Sequence, residues 1–301
     1  MRSRAAGLAI LVTCGLIAAT AGRTAAQDRC LVGSVDDDRG CAFGAPRWVG
    51  EFTSLTANAV VGGLTAGLVQ EFRGGSFREG FMRGILGGAI VYAGKRVAAE
   101  GFAGAGALGR TVAASGASAV RNAGAGEPLL DQLTLPAGPI WFTVSTRTKQ
   151  VRARVDAATL AWMLYGVAEP ELEFDAGESL SSLMPVFRTD GKLLQFGNDS
   201  VHAAGVTNAG VYFVADVPAY GPEAARRYRA HERIHVLQTD QFAIQWTDPA
   251  AQWLAGRLPA LRPALRFVAI NLSTELMRMG SGLIAEHGDR PWELESIFFA
   301  R

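Results

Sequence analysis

Two histidines and a glutamate in one short stretch have the residue types and spacing needed to bind a metal ion. They are His231, Glu232 and His235, in the pattern H-E-x-x-H. On a helix, residues four apart share a face, so both imidazoles can reach one ion while Glu232 stays free as a base. Neutral imidazoles hold Zn²⁺, the ion acidifies a water molecule, and a nearby carboxylate takes the proton. The chain has only four histidines, so chance seldom places two at this spacing, and we expect a zinc site.

The residues around this motif have the pattern of a helix. Pro222 stands at a first helical position, and Glu223 places an acidic residue in the first turn. The same periodicity puts three arginines on a face that we expect to be solvent-exposed: Arg226, Arg229 and Arg233.

The motif resembles that of the zincin metallopeptidases. The extended form H-E-x-x-H-x-x-G-x-x-H is absent, because Gln238 replaces its glycine and Gln241 its third histidine. The chain is instead similar to glutamate zincins, in which a glutamate from a later helix is the third ligand.

A segment near residue 300 carries the second part of this resemblance. The sequence P-W-E-L-E-S-I-F-F-A, from position 291, resembles the E-x-x-A-D segment of the membrane-associated prenyl-protein peptidases. On that resemblance Glu293 is the third ligand and Ser296 replaces a small alanine. Ile297 stands where the family has an aspartate that orients a ligand histidine, a role that Glu295 can take. Glu295 and Glu275 remain the alternative third ligands.

The resemblance implies an exported zinc-dependent hydrolase, a metallopeptidase that acts on a peptide or protein with Glu232 as general base. It also implies that the last strand before the metal helix, residues 210–215, pairs with an extended substrate. The alternative is a non-catalytic envelope or membrane-associated protein with a structural or vestigial metal site. Specificity depends on pocket shape, so the sequence leaves the substrate open.

The expected fold class is α+β, with a glycine-rich helical hairpin region followed by a zincin-like domain over residues 128–301. In that domain, residues 140–146 and 151–155 predict a β-hairpin, and Asp156 caps a helix that reaches Tyr165. Shorter alternating runs up to residue 215 complete a small, mostly antiparallel sheet. An apolar run over residues 263–279, which contains Glu275, predicts a helix.

Residues 1–26 have the basic start, apolar middle and small-residue end of a secretory signal peptide. We therefore expect a periplasmic or extracellular protein. Cleavage would leave Cys30 and Cys41, an even pair in an oxidising compartment, for which a disulfide is expected and two free thiols are the alternative.

Residues 27–127 are rich in glycine and alanine. Two helices are expected, over residues 52–72 and 77–100, with glycines every four residues that let the backbones approach closely. Such a hairpin can be a soluble unit packed on the second domain or a membrane-inserted or peripheral one. We predict membrane association through residues 52–100, with Lys95 and Arg96 at one end.

The charge balance argues against one class of partner. The net charge is +1, and no basic stripe interleaved with aromatic residues occurs. We therefore expect no nucleic-acid binding.

Overall fold

A computed structural model describes residues 47–190, 194–195, 202–203, 205–216, 221–274, 276–277 and 291–300. The predicted signal peptide, the Cys30–Cys41 pair and the rival ligand Glu275 lie outside these residues. Within them, the protein has the expected α+β fold.

The glycine-rich part forms three packed helices: α1 (Arg47–Phe72), α2 (Phe77–Ala98) and α3 (Ala105–Ala125). The expected hairpin is α1 with α2, and α3 packs against both. Side chains are excluded where α1 and α2 cross, since a Cβ atom on Gly88 would lie 2.1 Å from the carbonyl oxygen of Asn58. Glycine here is therefore required by backbone proximity.

Among the described residues, one helix is long and apolar enough to cross a membrane, over Gly50–Phe72. A third of its most apolar stretch, 33%, is buried within the protein. Core helices of soluble proteins can be equally long and apolar. The outer face of the hairpin also exposes large apolar side chains, among them Phe52, Met82 and Leu86. The membrane association of this hairpin stays a prediction.

The first sheet has the strand order β1 (Gln132–Ala137), β2 (Ile140–Ser145), β3 (Gln150–Asp156) and β10 (Val268–Ala269). Strands β2 and β3 are the predicted hairpin, and Asp156 caps the next helix, as expected, by accepting hydrogen bonds from the backbone of Ala158 and Thr159. Strand β10 pairs in parallel with β3. The helix predicted over residues 263–279 is therefore wrong at β10, because this pairing overrides the local helical pattern.

The second sheet has the order β4 (Glu173–Phe174), β5 (Val186–Asp190), β9 (Val211–Asp216) and β8 (Gly205–Asn208). Strands β5 and β9 are parallel, and β6 (Leu194–Gln195) pairs separately with β7 (His202–Ala203). The expected single sheet is thus divided into two mixed sheets and a short ribbon. Residues 210–215 cannot pair with a substrate, because β9 already has a neighbour on each side and β8 is the outer strand.

The remaining helices surround these sheets. They are α4 (Ala157–Ala168), α5 (Ala176–Ser182), α6 (Gly221–Phe242), a π-helical turn (Ala243–Thr247), α7 (Asp248–Arg257), a 3-10 turn (Pro259–Leu261), α8 (Arg262–Leu265) and α9 (Pro291–Phe299).

The glycine-rich helices and the metal helix share hydrophobic clusters. Ala98 of α2 and Ala113 of α3 belong to the same cluster as Ile234 and Leu237 of α6 and Phe299 of α9. Two ion pairs inside the described part of the protein also join these parts: Lys95 with Glu295, and Arg110 with Asp240. The glycine-rich part therefore supports the position of α6 directly.

Candidate metal centre

Helix α6 presents both histidines of the motif on one face. The helix begins at Gly221, whose φ of +70° suits glycine, and Pro222 and Glu223 follow in the first turn as expected. His231 and His235 lie one turn apart, with ring centroids 4.5 Å apart, and each side chain is 13% exposed. The two Nε2 atoms are 2.9 Å apart, so both point to one place.

Helix α9 brings Glu293 to the same place. Its Oε2 atom is 3.1 Å from His235 Nε2 and 3.4 Å from His231 Nε2, and its side chain is 8% exposed. Glu293 lies in the first turn of α9, whose first residue is Pro291. Zinc bonds of about 2.0–2.2 Å in a tetrahedron place ligand atoms about 3.3 Å apart, so these three atoms fit a single small cation.

The charges of His235 and Glu293 stabilise each other. Burial alone lowers the pKa of His235, but the charge and hydrogen bond of Glu293, with smaller effects of Glu232 and Gln238, raise it to about 9. Burial alone raises the pKa of Glu293, but the charge of His235 and hydrogen bonds from both histidines hold it well below its usual range. The metal-free His235 is therefore expected to be protonated at neutral pH, and a bound cation would replace that positive charge.

Glu295 does not face the histidines. Its carboxylate accepts hydrogen bonds from Lys95 Nζ at 2.8 Å, Asn58 Nδ2 at 2.6 Å and Gln238 Nε2 at 2.8 Å. Burial alone raises the pKa of Glu295, but the charge of Lys95 and these hydrogen bonds lower it overall. Glu295 is therefore an ionised anchor beside the centre, at a distance from the ligand atoms.

Gln238 connects this anchor to a ligand. Its Oε1 atom lies 2.8 Å from His235 Nδ1, and its Nε2 atom donates to Glu295 and to the carbonyl oxygen of Trp292 at 3.0 Å. The carboxylate and the carbonyl can only accept, so the amide presents its NH₂ group to them and its oxygen to the imidazole. His235 is then held with Nδ1 protonated and Nε2 directed at Glu293.

Sequence reasoning noted Gln238 as the residue that replaces the glycine of the extended motif, and assigned it no role. Its spacing of three residues from His235 on a helix was a usable signal, since such neighbours are in contact. Lys95 and Asn58 could not be found in this way, because they reach the centre from the glycine-rich helices.

Ser296 is buried beneath the two imidazoles. Its Oγ atom lies 3.4 Å from His231 Nε2 and 3.3 Å from His235 Nε2, and it donates a hydrogen bond of 2.8 Å to the carbonyl oxygen of Glu293. The small side chain allows α9 to pack closely on α6 and adds an oxygen atom to the centre.

Glu232 lies on a different side of α6 from the ligand group. It is 5% exposed, and its Oε2 atom accepts a hydrogen bond of 2.6 Å from the hydroxyl of Thr207 on the outer strand β8. A Cβ atom at Gly205 would lie 2.5 Å from Glu232 Oε1, so glycine at this position makes room for the carboxylate. Glu232 is thus held between the metal helix and a strand edge.

Two of the three arginines expected on the surface of α6 are largely shielded from solvent. Arg229 is 22% exposed and pairs with Asp216 and Asp175. Arg233 was expected to face the solvent, yet its side chain is 15% exposed and its Nε atom donates to Glu178 Oε1 at 2.9 Å. Tyr212 donates to the same carboxylate oxygen at 2.7 Å. The prediction was wrong because α5, which the sequence did not indicate, covers this side of α6.

No protein-family model, curated protein or solved structure matches this chain. The resemblance to glutamate zincins rests on the motif residues alone. Within the described residues, one group of acidic, histidine or cysteine side chains is arranged so that it could hold a metal ion. It consists of His231, His235 and Glu293.

Proposed function

We propose that the protein is an exported zinc-dependent hydrolase that cleaves peptides or proteins. The observation that carries this proposal is the convergence of His231, His235 and Glu293 within 3.4 Å of one another. Two imidazoles and one carboxylate are the protein ligands of many hydrolytic zinc sites, and they leave a position for water or substrate. The same donor set also serves iron(II), so metal analysis is the first test.

In the proposed reaction, the metal ligands, Glu232 and Thr207 have separate roles. A zinc ion held by His231, His235 and Glu293 would supply the positive charge needed to polarise a substrate carbonyl and to acidify water. Glu232 accepts the proton from that water and passes it to the leaving amine. The hydroxyl of Thr207 holds the Glu232 carboxylate at 2.6 Å and so limits its orientation. An extended substrate would pair with the outer edge of β8 beside Glu232.

The test combines metal analysis with one conservative substitution. Glu232→Gln preserves shape but removes the basic oxygen, so the variant is expected to keep its zinc and to lose hydrolysis of a broad peptide library. Glu223→Gln is the matched control, because Glu223 lies on the same helix in an exposed cluster with Arg226 and Arg227. Undiminished hydrolysis by Glu232→Gln would rule the mechanism out.

A second candidate function is a non-catalytic envelope protein with a structural or vestigial metal site. Two observations favour it: Ser296 offers an additional oxygen within 3.4 Å of the histidine Nε2 atoms, and Ile297 replaces the acidic residue of the resembled family. Structural zinc is fully enclosed by protein ligands, so it would bind no hydroxamate inhibitor. Cleavage of the library by zinc-loaded protein would exclude this candidate.

The proposed location is the outer side of a membrane, with the hairpin of residues 52–100 in contact with it. The exposed Met82 and Leu86 on α2 support this proposal. Recovery of all the mature protein in the soluble fraction without detergent would contradict it.

A further inference from the structure

The segment that follows the metal helix exposes a set of large apolar side chains. Trp253 of α7 is 60% exposed and Phe267, just after α8, is 68% exposed. Three leucines between them are also exposed: Leu254, Leu258 and Leu261. We call this surface, over residues 252–267, the tryptophan patch. Single exposed apolar residues are common, but five of them within one short segment indicate a contact surface.

The tryptophan patch is also basic. Residues 249–274 contain three arginines and no acidic residue. Arg262 and Arg266 line a surface cavity of about 620 Å³ together with Arg152 from strand β3. Within the described part of the chain, none of these arginines nor Arg257 forms an ion pair with a carboxylate. Their charge is thus available to an anionic partner.

The arginines are arranged beside the apolar groups. The guanidinium of Arg257 lies over the ring of Trp253, 4.2 Å from its centroid. Arg262 donates to the carbonyl oxygens of Ala255 and Gly256 at the end of α7, at 3.1 Å and 2.9 Å. These contacts hold the guanidinium groups of Arg257 and Arg262 next to the exposed apolar side chains. A surface that binds at a membrane interface combines cationic and apolar groups in this way.

We propose that the tryptophan patch docks the protein on an anionic phospholipid bilayer. Tryptophan and phenylalanine favour the interface between headgroups and acyl chains, leucines gain by burial below it, and arginines bind lipid phosphates. A nucleic acid would use the arginines and stack on the rings, but it offers nothing to three exposed leucines. The surface is separate from the hairpin of residues 52–100 and does not rest on the proposed hydrolysis.

The test is flotation of the mature chain with vesicles of phosphatidylcholine, with and without phosphatidylglycerol. We expect binding to the anionic vesicles that weakens as salt is added. Arg152→Gln combined with Arg266→Gln should weaken this binding about 30-fold. Trp253→Ser combined with Phe267→Ser should weaken binding to the anionic vesicles as well.

Two control variants separate this surface from others. Arg226→Gln with Arg227→Gln removes two exposed arginines of α6 that are paired with Glu223, and it should bind like the wild type. Met82→Ser with Leu86→Ser tests whether the exposed face of the hairpin also binds the vesicles. Any of three results would overturn the proposal. The patch variants could bind as tightly as the wild type, the wild type could bind equally to both vesicle types, or the wild type could fail to float with vesicles. Circular dichroism of every variant confirms that it is folded.

Discussion

Gln238 and Glu295 are joined by a hydrogen bond of 2.8 Å between Nε2 and Oε2, and the other end of the same amide meets His235 Nδ1 at 2.8 Å. Gln238 of α6 and Glu295 of α9 thus together fix the imidazole of His235. The centre is supported from outside its ligands, as metal sites require.

Substitution of Gln238 by leucine tests this support. Gln238→Leu removes the acceptor for His235 Nδ1, so we expect zinc affinity to fall about 10- to 100-fold. Competition with a chromophoric chelator measures the change, and the absorption of the cobalt-substituted protein reports any altered geometry. Gln241→Leu, on the same helix, is the control. Equal affinities in the two variants would show that Gln238 only fills space.

The three candidate glutamates are separated by single replacements with glutamine. Glu293→Gln should lose zinc, because its Oε2 atom lies beside both histidines. Glu295→Gln should keep zinc with reduced affinity, since it acts through Gln238, and Glu275→Gln should keep it unchanged. Zinc stoichiometry by mass spectrometry of the native protein decides. Full zinc content in Glu293→Gln would overturn this ligand assignment.

Lys95 tests the connection with the glycine-rich helices. Its side chain is 2% exposed and pairs with Glu295 at 2.8 Å. Lys95→Met leaves a largely buried carboxylate without its cation, so the free energy of unfolding should fall by about 3 kcal/mol. Arg96→Met is the control, because Arg96 pairs with Glu100 near the surface and should change it by less than about 1 kcal/mol. Urea unfolding measures both, and similar losses would mean that the buried pair has no special role.

The pH dependence follows from the protonated imidazole of the metal-free site. The pKa of His235 is about 9 in the folded protein, above its ordinary 6.5. A metal must displace this proton, so zinc affinity should rise about tenfold per pH unit from about pH 7 to about pH 9 and then level off. The raised pKa also stabilises the metal-free fold at pH below 6.5, and this contribution is lost as pH rises towards 9. Chelator competition and thermal unfolding at several pH values check the two trends; a flat affinity profile contradicts them.

Gly88 tests the close contact of the glycine-rich helices. An alanine there would place Cβ 2.1 Å from the carbonyl oxygen of Asn58, so Gly88→Ala should cost about 1–3 kcal/mol of stability. Gly256→Ala is the matched control, because it is also helical and its Cβ would meet no atom within 4 Å. That control should be neutral or stabilising by up to about 1 kcal/mol. If both variants unfold alike, the predicted clash is absent.

Local features were predictable from the sequence. The helix that holds His231 and His235, its start near Pro222, the hairpin of β2 and β3 and the cap at Asp156 all depend on residues a few positions apart. Periodicity and capping act over this range, so the sequence predicts them without knowledge of the rest of the fold.

Features that depend on distant partners were not predictable. Strand β10 became extended because Val268 and Ala269 pair with β3, and β9 became an inner strand because β5 pairs with it in parallel. Strand β1 was missed since Pro136 weakens the strand pattern of its run. The hydrogen bonds from Lys95 and Asn58 to Glu295 could not be predicted either. These two residues lie on glycine-rich helices whose sequence pattern gives no indication of a metal centre.

The contacts around the centre also determine when it can form. Glu293 is 58 positions from His235, and Glu295 is 200 positions from Lys95. Loops of this length must close before the ligands and their anchor meet, and such closure is an entropic cost that slows folding. A metal bound at this centre would therefore not nucleate folding in the way that zinc nucleates a zinc finger, whose ligands are near neighbours. We expect the chain to collapse around its apolar residues first, so that a metal would enter a scaffold that is already complete.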